Sequence, residues 1–308
     1  MSSHWDCLVV GAGPGGLSAA LYLARFLRRV LVLHDGTSRA LRVSKTHNVP
    51  GFPDGVAGPE LIERMTGHAM RFGARVREAE VLASSRSGDR FVLETRNGER
   101  FSAPALILAT GLFMNQIPLP HDVHEAAMRA GVVRYCPICD GYEHRDKRIA
   151  VVGCDEQGAN EALFLRCYSS DITLVPRAFD ELDAQERSEL ERAGITIVER
   201  AVHRFELHGN TMHVYLQGLA EPREFDVVYP ALGTRQRTQF AQSLGVAVND
   251  KGAVDARAPY GTAVPGLYCV GDIVDGLDQV SVAMGHGAVA ATRAHNYLRA
   301  MEAERPGT

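Results

Sequence analysis

The sequence predicts an α/β fold with two dinucleotide-binding (Rossmann-like) domains, each three-layered with a small antiparallel meander. Three observations carry this expectation. Short apolar runs end in glycine turns and are followed by Ala- and Leu-rich stretches, as buried parallel strands feeding helices do. That strand–turn–helix–strand order occurs twice, once near the N-terminus and once from residue 147. The 308 residues suit about two domains at roughly 150 residues each.

Residues 6–10, DCLVV, read as the first buried strand. GAGPGG is a turn, LSAALYLARFLRR a helix, and RVLVLHD (29–35) the second strand. A Pro/Gly-rich loop, NVPGFPDGVAGPE, leads to a helix from about Glu60 to Arg71. Alternating segments near 75–102, with RNGER between FVLET and FSAPA, form a small antiparallel meander. PALILATG (104–111) is another buried strand, and NQIPLPHD a loop and domain boundary. KRIAVVG (147–153), a turn, the helix EALFLRCY and the strand DITLV make the second unit. A second meander, about 195–218, leads to the strand DVVYPALG (226–233). GLYCVGD (266–272) and a closing helix, SVAMGHGAVAATRAHNYLRA, complete the chain.

Composition narrows the function classes. At 45% hydrophobic and 23% charged residues the chain has the makings of a substantial core. With 33 Lys and Arg against 37 Asp and Glu, the net charge is −4, so there is no global basic field for nucleic acid or an anionic membrane. Six cysteines are too few for a disulfide framework. MSSHWDCLVV has neither the basic nor the long apolar region of a signal peptide, and no apolar run reaches the ~18 residues of a membrane span. A soluble, cytoplasmic protein is expected.

Gly11, Gly13 and Gly16, with Pro14 and Gly15 between them, form GxGxxG after a strand and before a helix. Gly11 would allow the tight turn, Gly13 the approach of a pyrophosphate, and Gly16 close helix–strand packing. The helix N-terminus would offer its free N–H groups to the phosphates. Either His34 or Asp35, at the end of the next strand, would meet the adenosine ribose. The motif alone does not separate FAD from NAD(P). Ala109-Thr110-Gly111 and Gly271-Asp272 also follow buried strands whose carboxyl ends converge on the crevice of a doubly wound sheet. There the Asp could accept hydrogen bonds from a ribityl chain.

Cys136-Pro137-Ile138-Cys139 is followed at once by Asp140-Gly141. A CxxC pair can form a reducible disulfide or supply half of a zinc site. Zinc would need a second ligand pair, which Cys7, Cys154, Cys167 and Cys269 do not offer, so no metal is expected. Asp140 either shapes the turn before Gly141 or serves as a proton donor and acceptor for the thiols.

Taken together, GAGPGGLSAA, VPGFP, ILATG, CPICDG, VVGCDEQGANEALFL, YPALGT and GLYCVGD resemble, in order, the low-molecular-weight thioredoxin reductases and their relatives. The resemblance spans nearly the whole chain. It implies a homodimer with a discontinuous FAD domain, 1–113 plus 237–308. An inserted domain, 114–236, would carry the CxxC and rotate to alternate its cysteines between flavin and substrate. By the same resemblance Cys139 would lie nearest the flavin, Cys136 would exchange with the substrate disulfide, and Asp140 would move the proton. Asn48, beside VPGFP, joins the implied cofactor contacts, as do Gln279 and the Val280 backbone.

Two stretches depart from the family pattern. The second loop, Gly153-Cys154-Asp155-Glu156-Gln157-Gly158, carries Asp155 where the middle glycine belongs, and the Arg cluster after DITLV is reduced to Arg177. Two carboxylates facing a pyrophosphate are repulsive, so NADPH binding is expected to be weak or absent. Near the flavin, Asp278 stands where reductases often have Arg. His286 reads either as a base approaching the disulfide or as a packed, capping side chain.

The function expected is FAD-dependent thiol–disulfide oxidoreduction through Cys136 and Cys139. The alternatives are an NADPH-dependent thioredoxin reductase, a ferredoxin-linked reductase, a dithiol oxidase using oxygen, and a non-catalytic flavin redox sensor. The partner would be a small thioredoxin-like protein disulfide or a small-molecule dithiol or disulfide.

Overall fold

A computed structural model describes residues 4–255 and 261–304. The chain divides into two compact units. One falls within Met1–Phe113 and Arg235–Thr308, the other is Met114–Thr234.

In the first unit, Leu267–Cys269, Ala105–Leu108, Cys7–Val10, Val30–His34 and Arg75–Glu78 form, in that order, a five-stranded sheet, parallel throughout. The three inner strands are apolar because both faces are covered. Cys7 and Val9 face a layer that includes Leu17, Ala20 and Leu23 of helix Pro14–Arg25 and Ala290 and Ala294 of helix Val280–Ala303. Leu8 and Val10 face the opposite way, onto Phe91 and Leu93 of an antiparallel sheet made by 81–87, 90–95 and 100–103. Three layers result, and the period-2 alternation of one strand serves both cores.

The second unit repeats the plan. Thr196–Ile197, Ile172–Asp180, Ile149–Cys154 and Val227–Pro230 form a parallel sheet. Ile149, Val151 and Tyr229 pack with Ala159, Ala162 and Leu165 of helix Glu156–Leu165. Ala150, Val152 and Val228 pack with Phe205, Met212 and Val214 of a second antiparallel sheet.

Several elements differ from the sequence expectation. Arg75–Glu78 and Thr196–Ile197 belong to the parallel sheets, as edge strands, and not to the meanders. Edge strands are wet on one side, so their alternation mimics a meander. Helix Gly58–Arg71 starts earlier than Glu60 because Pro59 occupies its first turn. The strand after the second helix runs through Pro176 and Arg177 to Asp180, with its register shifted between Val175 and Asp180. Helix His121–Ala130 had no counterpart in the expectation.

Candidate active site

The first glycine loop has the geometry its spacing demands. Gly11 sits at φ +108, and a Cβ there would lie 2.2 Å from the Ala109 carbonyl oxygen. A Cβ on Gly16 would lie 2.0 Å from the Gly11 carbonyl oxygen, so helix and strand close only around glycine. Gly13 differs: its Cβ would meet only a side chain, the Ser38 Oγ at 3.3 Å. Helix Pro14–Arg25 starts at Gly13 with Pro in its first turn and no side-chain cap. Its leading N–H groups are therefore available to an anion. Gly15 is crossed by the last helix, where a Cβ on Gly287 would lie 2.2 Å from the Gly15 carbonyl oxygen. An uncapped, glycine-lined helix head of this kind fits the pyrophosphate of a dinucleotide such as FAD.

Around this cradle the first unit gathers the remaining sequence-predicted residues. Asp35 accepts hydrogen bonds from Arg237 Nη2 at 2.5 Å and from the Thr37 amide at 3.0 Å. Burial alone would push its carboxyl up, but these donors hold it at about 2. His34 Nδ1 accepts the Gly36 amide at 3.2 Å. Thr110 Oγ1 donates to the Arg237 carbonyl at 2.6 Å, so Arg237 ties two strand ends together. Gly111 and Gly271 both have positive φ, +69 and +72. Asp272 is raised by burial and held by Arg39 at 3.2 Å. Arg39 also donates to the Asp278 carbonyl at 2.8 Å. Burial and the neighbouring Asp272 push the Asp278 carboxyl up to about 6. Asn48 Nδ2 donates to Gln279 Oε1 at 2.9 Å, immediately before Val280 opens the last helix.

Arg39 and Arg237 were not singled out by sequence reasoning. No motif marks them, because each meets its carboxylate from a distant part of the chain. His286 is buried, and its Nδ1 accepts the Gly271 amide at 3.3 Å. Within its unit it packs and braces the Gly271-Asp272 turn, and burial lowers its affinity for a proton.

In the second unit Cys136 and Cys139 form a disulfide with Cα atoms 5.3 Å apart. Cys136 is the N-cap of the short helix Pro137–Asp140, and the Cys139 amide donates to the Cys136 carbonyl at 3.0 Å. Asp140 closes that turn. Its Oδ1 accepts the Tyr229 hydroxyl at 2.7 Å, and its Oδ2 lies 3.4 Å from Arg134 Nε. Burial outweighs the Tyr229 hydrogen bond and the Arg134 charge and raises the carboxyl to about 6. Such a group can hold or release a proton near neutral pH. Among the described residues no cluster of His, Cys, Asp and Glu could hold a metal ion.

The second glycine loop keeps the outer two positions of the motif. Gly153 has φ +138, and a Cβ on Gly158 would lie 1.8 Å from the Gly153 carbonyl oxygen. The middle position does something other than face a phosphate. Asp155 is the N-cap of helix Glu156–Leu165, and its Oδ1 accepts the Gly158 amide at 2.8 Å. Its carboxylate thus occupies the N–H group that an anion would need. Glu156 is in the first turn, and the strand beyond ends at Asp180, with Glu181 next along the chain and Arg177 exposed. These residues do not fit the pyrophosphate of a pyridine nucleotide.

Residues 5–287 match the pyridine nucleotide-disulphide oxidoreductase family. The chain belongs to that family. A thioredoxin reductase of Streptomyces clavuligerus is 30% identical over 314 residues, covering 98% of this chain and 96% of that protein. The family member described here is thus thioredoxin-reductase-like, an FAD-dependent oxidoreductase. The crystal structure of HlmI superimposes with a TM-score of 0.90 at 28% identity, covering 97% of this chain and 94% of that one. For the thioredoxin reductase of Streptococcus pyogenes MGAS5005 the TM-score is 0.88 at 24% identity, covering 97% and 100%. That likeness concerns the fold. No helix among the described residues is long and apolar enough to cross a membrane.

Proposed function

We propose that this oxidoreductase exchanges an electron pair between FAD held by the first unit and a dithiol or disulfide substrate, by way of Cys136 and Cys139. The observation that carries the reading is the Cys136–Cys139 disulfide joined to a buried carboxyl, Asp140, raised to about 6. FAD would supply a two-electron acceptor and donor. Gly11, Gly13, Pro14, Gly15 and Gly16 would hold its pyrophosphate, His34 or Asp35 its ribose, and Asp272 its ribityl chain. Ala109, Thr110, Gly111, Gly271, Asn48, Gln279 and Val280 would complete the site.

In the oxidising direction a substrate thiolate attacks one sulfur of the bridge, giving a mixed disulfide and a free thiolate on the chain. The second substrate thiol then displaces the chain's sulfur. One disulfide breaks, one forms, and two electrons and two protons remain with Cys136 and Cys139. In the reducing direction Cys136 attacks the substrate disulfide and Cys139 resolves the intermediate. Asp140 takes or gives the proton of the thiol that forms or leaves.

The electron partner on this reading is something other than NADPH, because Asp155 caps the second helix. A dithiol, a ferredoxin-like protein or oxygen would serve. The NADPH-dependent thioredoxin reductase remains the second reading, favoured by the retained Gly153 and Gly158 and by the name of the Streptomyces relative. We also propose a homodimer in the cytoplasm, acting on a small thioredoxin-like protein or a small-molecule dithiol.

Anaerobic titration of the yellow holoprotein tests the reading. Dithiothreitol should bleach the flavin band, and NADPH and NADH should not. Bleaching by stoichiometric NADPH transfers the reading to the second alternative. A purified protein that is colourless and cannot be reconstituted with FAD overturns both. Cys136→Ser should abolish disulfide turnover, and undiminished turnover sinks the role given to that sulfur.

A further inference from the structure

We propose that Tyr229 is a positioning residue for the proton step: its hydroxyl orients the Asp140 carboxyl next to Cys139 and governs how readily that carboxyl gives up its proton. This rests on the reading of Asp140 as the proton carrier of the thiol exchange.

Tyr229 lies in strand Val227–Pro230 and is wholly buried. Its neighbours on that face are the apolar residues of helix Glu156–Leu165, where a phenylalanine would pack without a polar atom to satisfy. A buried phenol costs free energy unless its hydroxyl is paired, and this one donates to Asp140 Oδ1 at 2.7 Å. The hydrogen bond joins strand Val227–Pro230, at one edge of the parallel sheet, to the turn that carries the disulfide, across 89 residues of chain. The His144 ring packs edge-on against the phenol at 6.0 Å between centroids. Gly141, which follows Asp140, is pressed against the Tyr168 ring, where a Cβ would approach to 2.6 Å. The carboxyl therefore has little freedom to turn elsewhere.

The charged and titratable groups facing Asp140 are few. Arg134, just before the cysteines, stabilises the ionised form, and Glu143, just after them, opposes it. Burial, more than the nearby charges, lowers the affinity of His144 for a proton. Burial favours the protonated carboxyl, while the Tyr229 hydrogen bond favours the carboxylate. Removing the hydroxyl must raise the proton affinity of Asp140.

The test uses the holoenzyme and Tyr229→Phe, with the rate of flavin reduction by dithiothreitol followed against pH. The limb that disappears in Asp140→Asn should move to higher pH in Tyr229→Phe, by roughly half a unit to one unit for the loss of one hydrogen bond. A folded Tyr229→Phe enzyme whose limb stays in place overturns the proposal, since a merely structural tyrosine would alter stability alone. An independent measurement needs no change at Tyr229. In the wild-type protein labelled with ζ-13C tyrosine, one tyrosine signal should follow the Asp140 titration and lose that response in Asp140→Asn. If no tyrosine signal follows it, the proposal fails. An Asp140→Asn enzyme that keeps the limb instead removes the proton-carrier reading on which the proposal stands, and the two failures are told apart by that variant.

Discussion

The Asp155 carboxylate accepts the Gly158 amide at 2.8 Å and so seals the head of helix Glu156–Leu165 from within. The corresponding helix of the first unit, Pro14–Arg25, has no side-chain cap. Two units built on one plan thus differ in what the helix after the glycine loop offers an anion.

Asp155→Gly should open the second site. Removing the carboxylate exposes the Gly158 amide and restores the middle glycine, so NADPH affinity should rise by about tenfold or more, equivalent to about 1.4 kcal/mol. The helix should lose only a few tenths of a kcal/mol, the usual cost of a glycine cap. Calorimetric titration of wild type and variant decides. Equal affinities would show that the cap is not what excludes the nucleotide.

Substitutions in the first loop should separate folding from cofactor retention. Gly11→Ala meets the Ala109 carbonyl at 2.2 Å in a left-handed conformation, and should cost about 3 kcal/mol or more. Gly13→Ala would meet the Ser38 Oγ at 3.3 Å, a side-chain contact that a shift of a few tenths of an ångström relieves, so the apoprotein should melt within a few degrees of wild type. Its flavin content should nevertheless fall several-fold, because the methyl lies where the pyrophosphate must approach. Melting curves of apoprotein and flavin-to-protein absorbance ratios read both effects.

Asp140 makes stability pH-dependent with a defined sign. Its folded value, about 6, lies above its ordinary 3.8, so the native state binds the proton more tightly than the unfolded chain. The protonated form is favoured on folding below about pH 4, and that advantage fades as pH rises through about 6. Relative to Asp140→Asn, the wild type should lose about 2–3 kcal/mol between about pH 4 and pH 7. Urea midpoints of the two proteins across that range measure it, and a constant difference would contradict the raised value.

Cys139→Ser should trap a mixed disulfide. With a symmetrical small disulfide, Cys136 would retain one half and release the other as thiol, and no second sulfur would resolve the bond. Peptide mass mapping should find the adduct on Cys136. Exposed Cys167 would label in every variant and serve as reference. Efficient capture at Cys139 in Cys136→Ser would reverse the roles assigned to the two sulfurs.

Much of this architecture is legible in the residues. The glycine spacings at 11–16 and 153–158 encode turns that only glycine can make, and DCLVV and IAVVG encode strands covered on both faces. The CxxC followed by Asp is equally plain. What the sequence hides is where charges meet across the chain. Asp35 with Arg237, Asp272 with Arg39, and Tyr229 with Asp140 join residues separated by scores to hundreds of positions, and no local pattern announces such pairs. Asp155 was visible as an intruder in its motif, but its turning inward to cap the helix depends on a backbone conformation at 155–158 that the letters do not specify.

The parallel sheet of the first unit needs Leu267–Cys269 at its edge, and its helical layer needs Val280–Ala303. Both leave the ribosome after the whole of the second unit. During synthesis, residues 114–234 can therefore reach their native form while the earlier half-sheet still waits with apolar surface uncovered. A nascent chain stalled before about residue 267 would carry a complete second unit on a first unit still lacking its edge strand and its last helix.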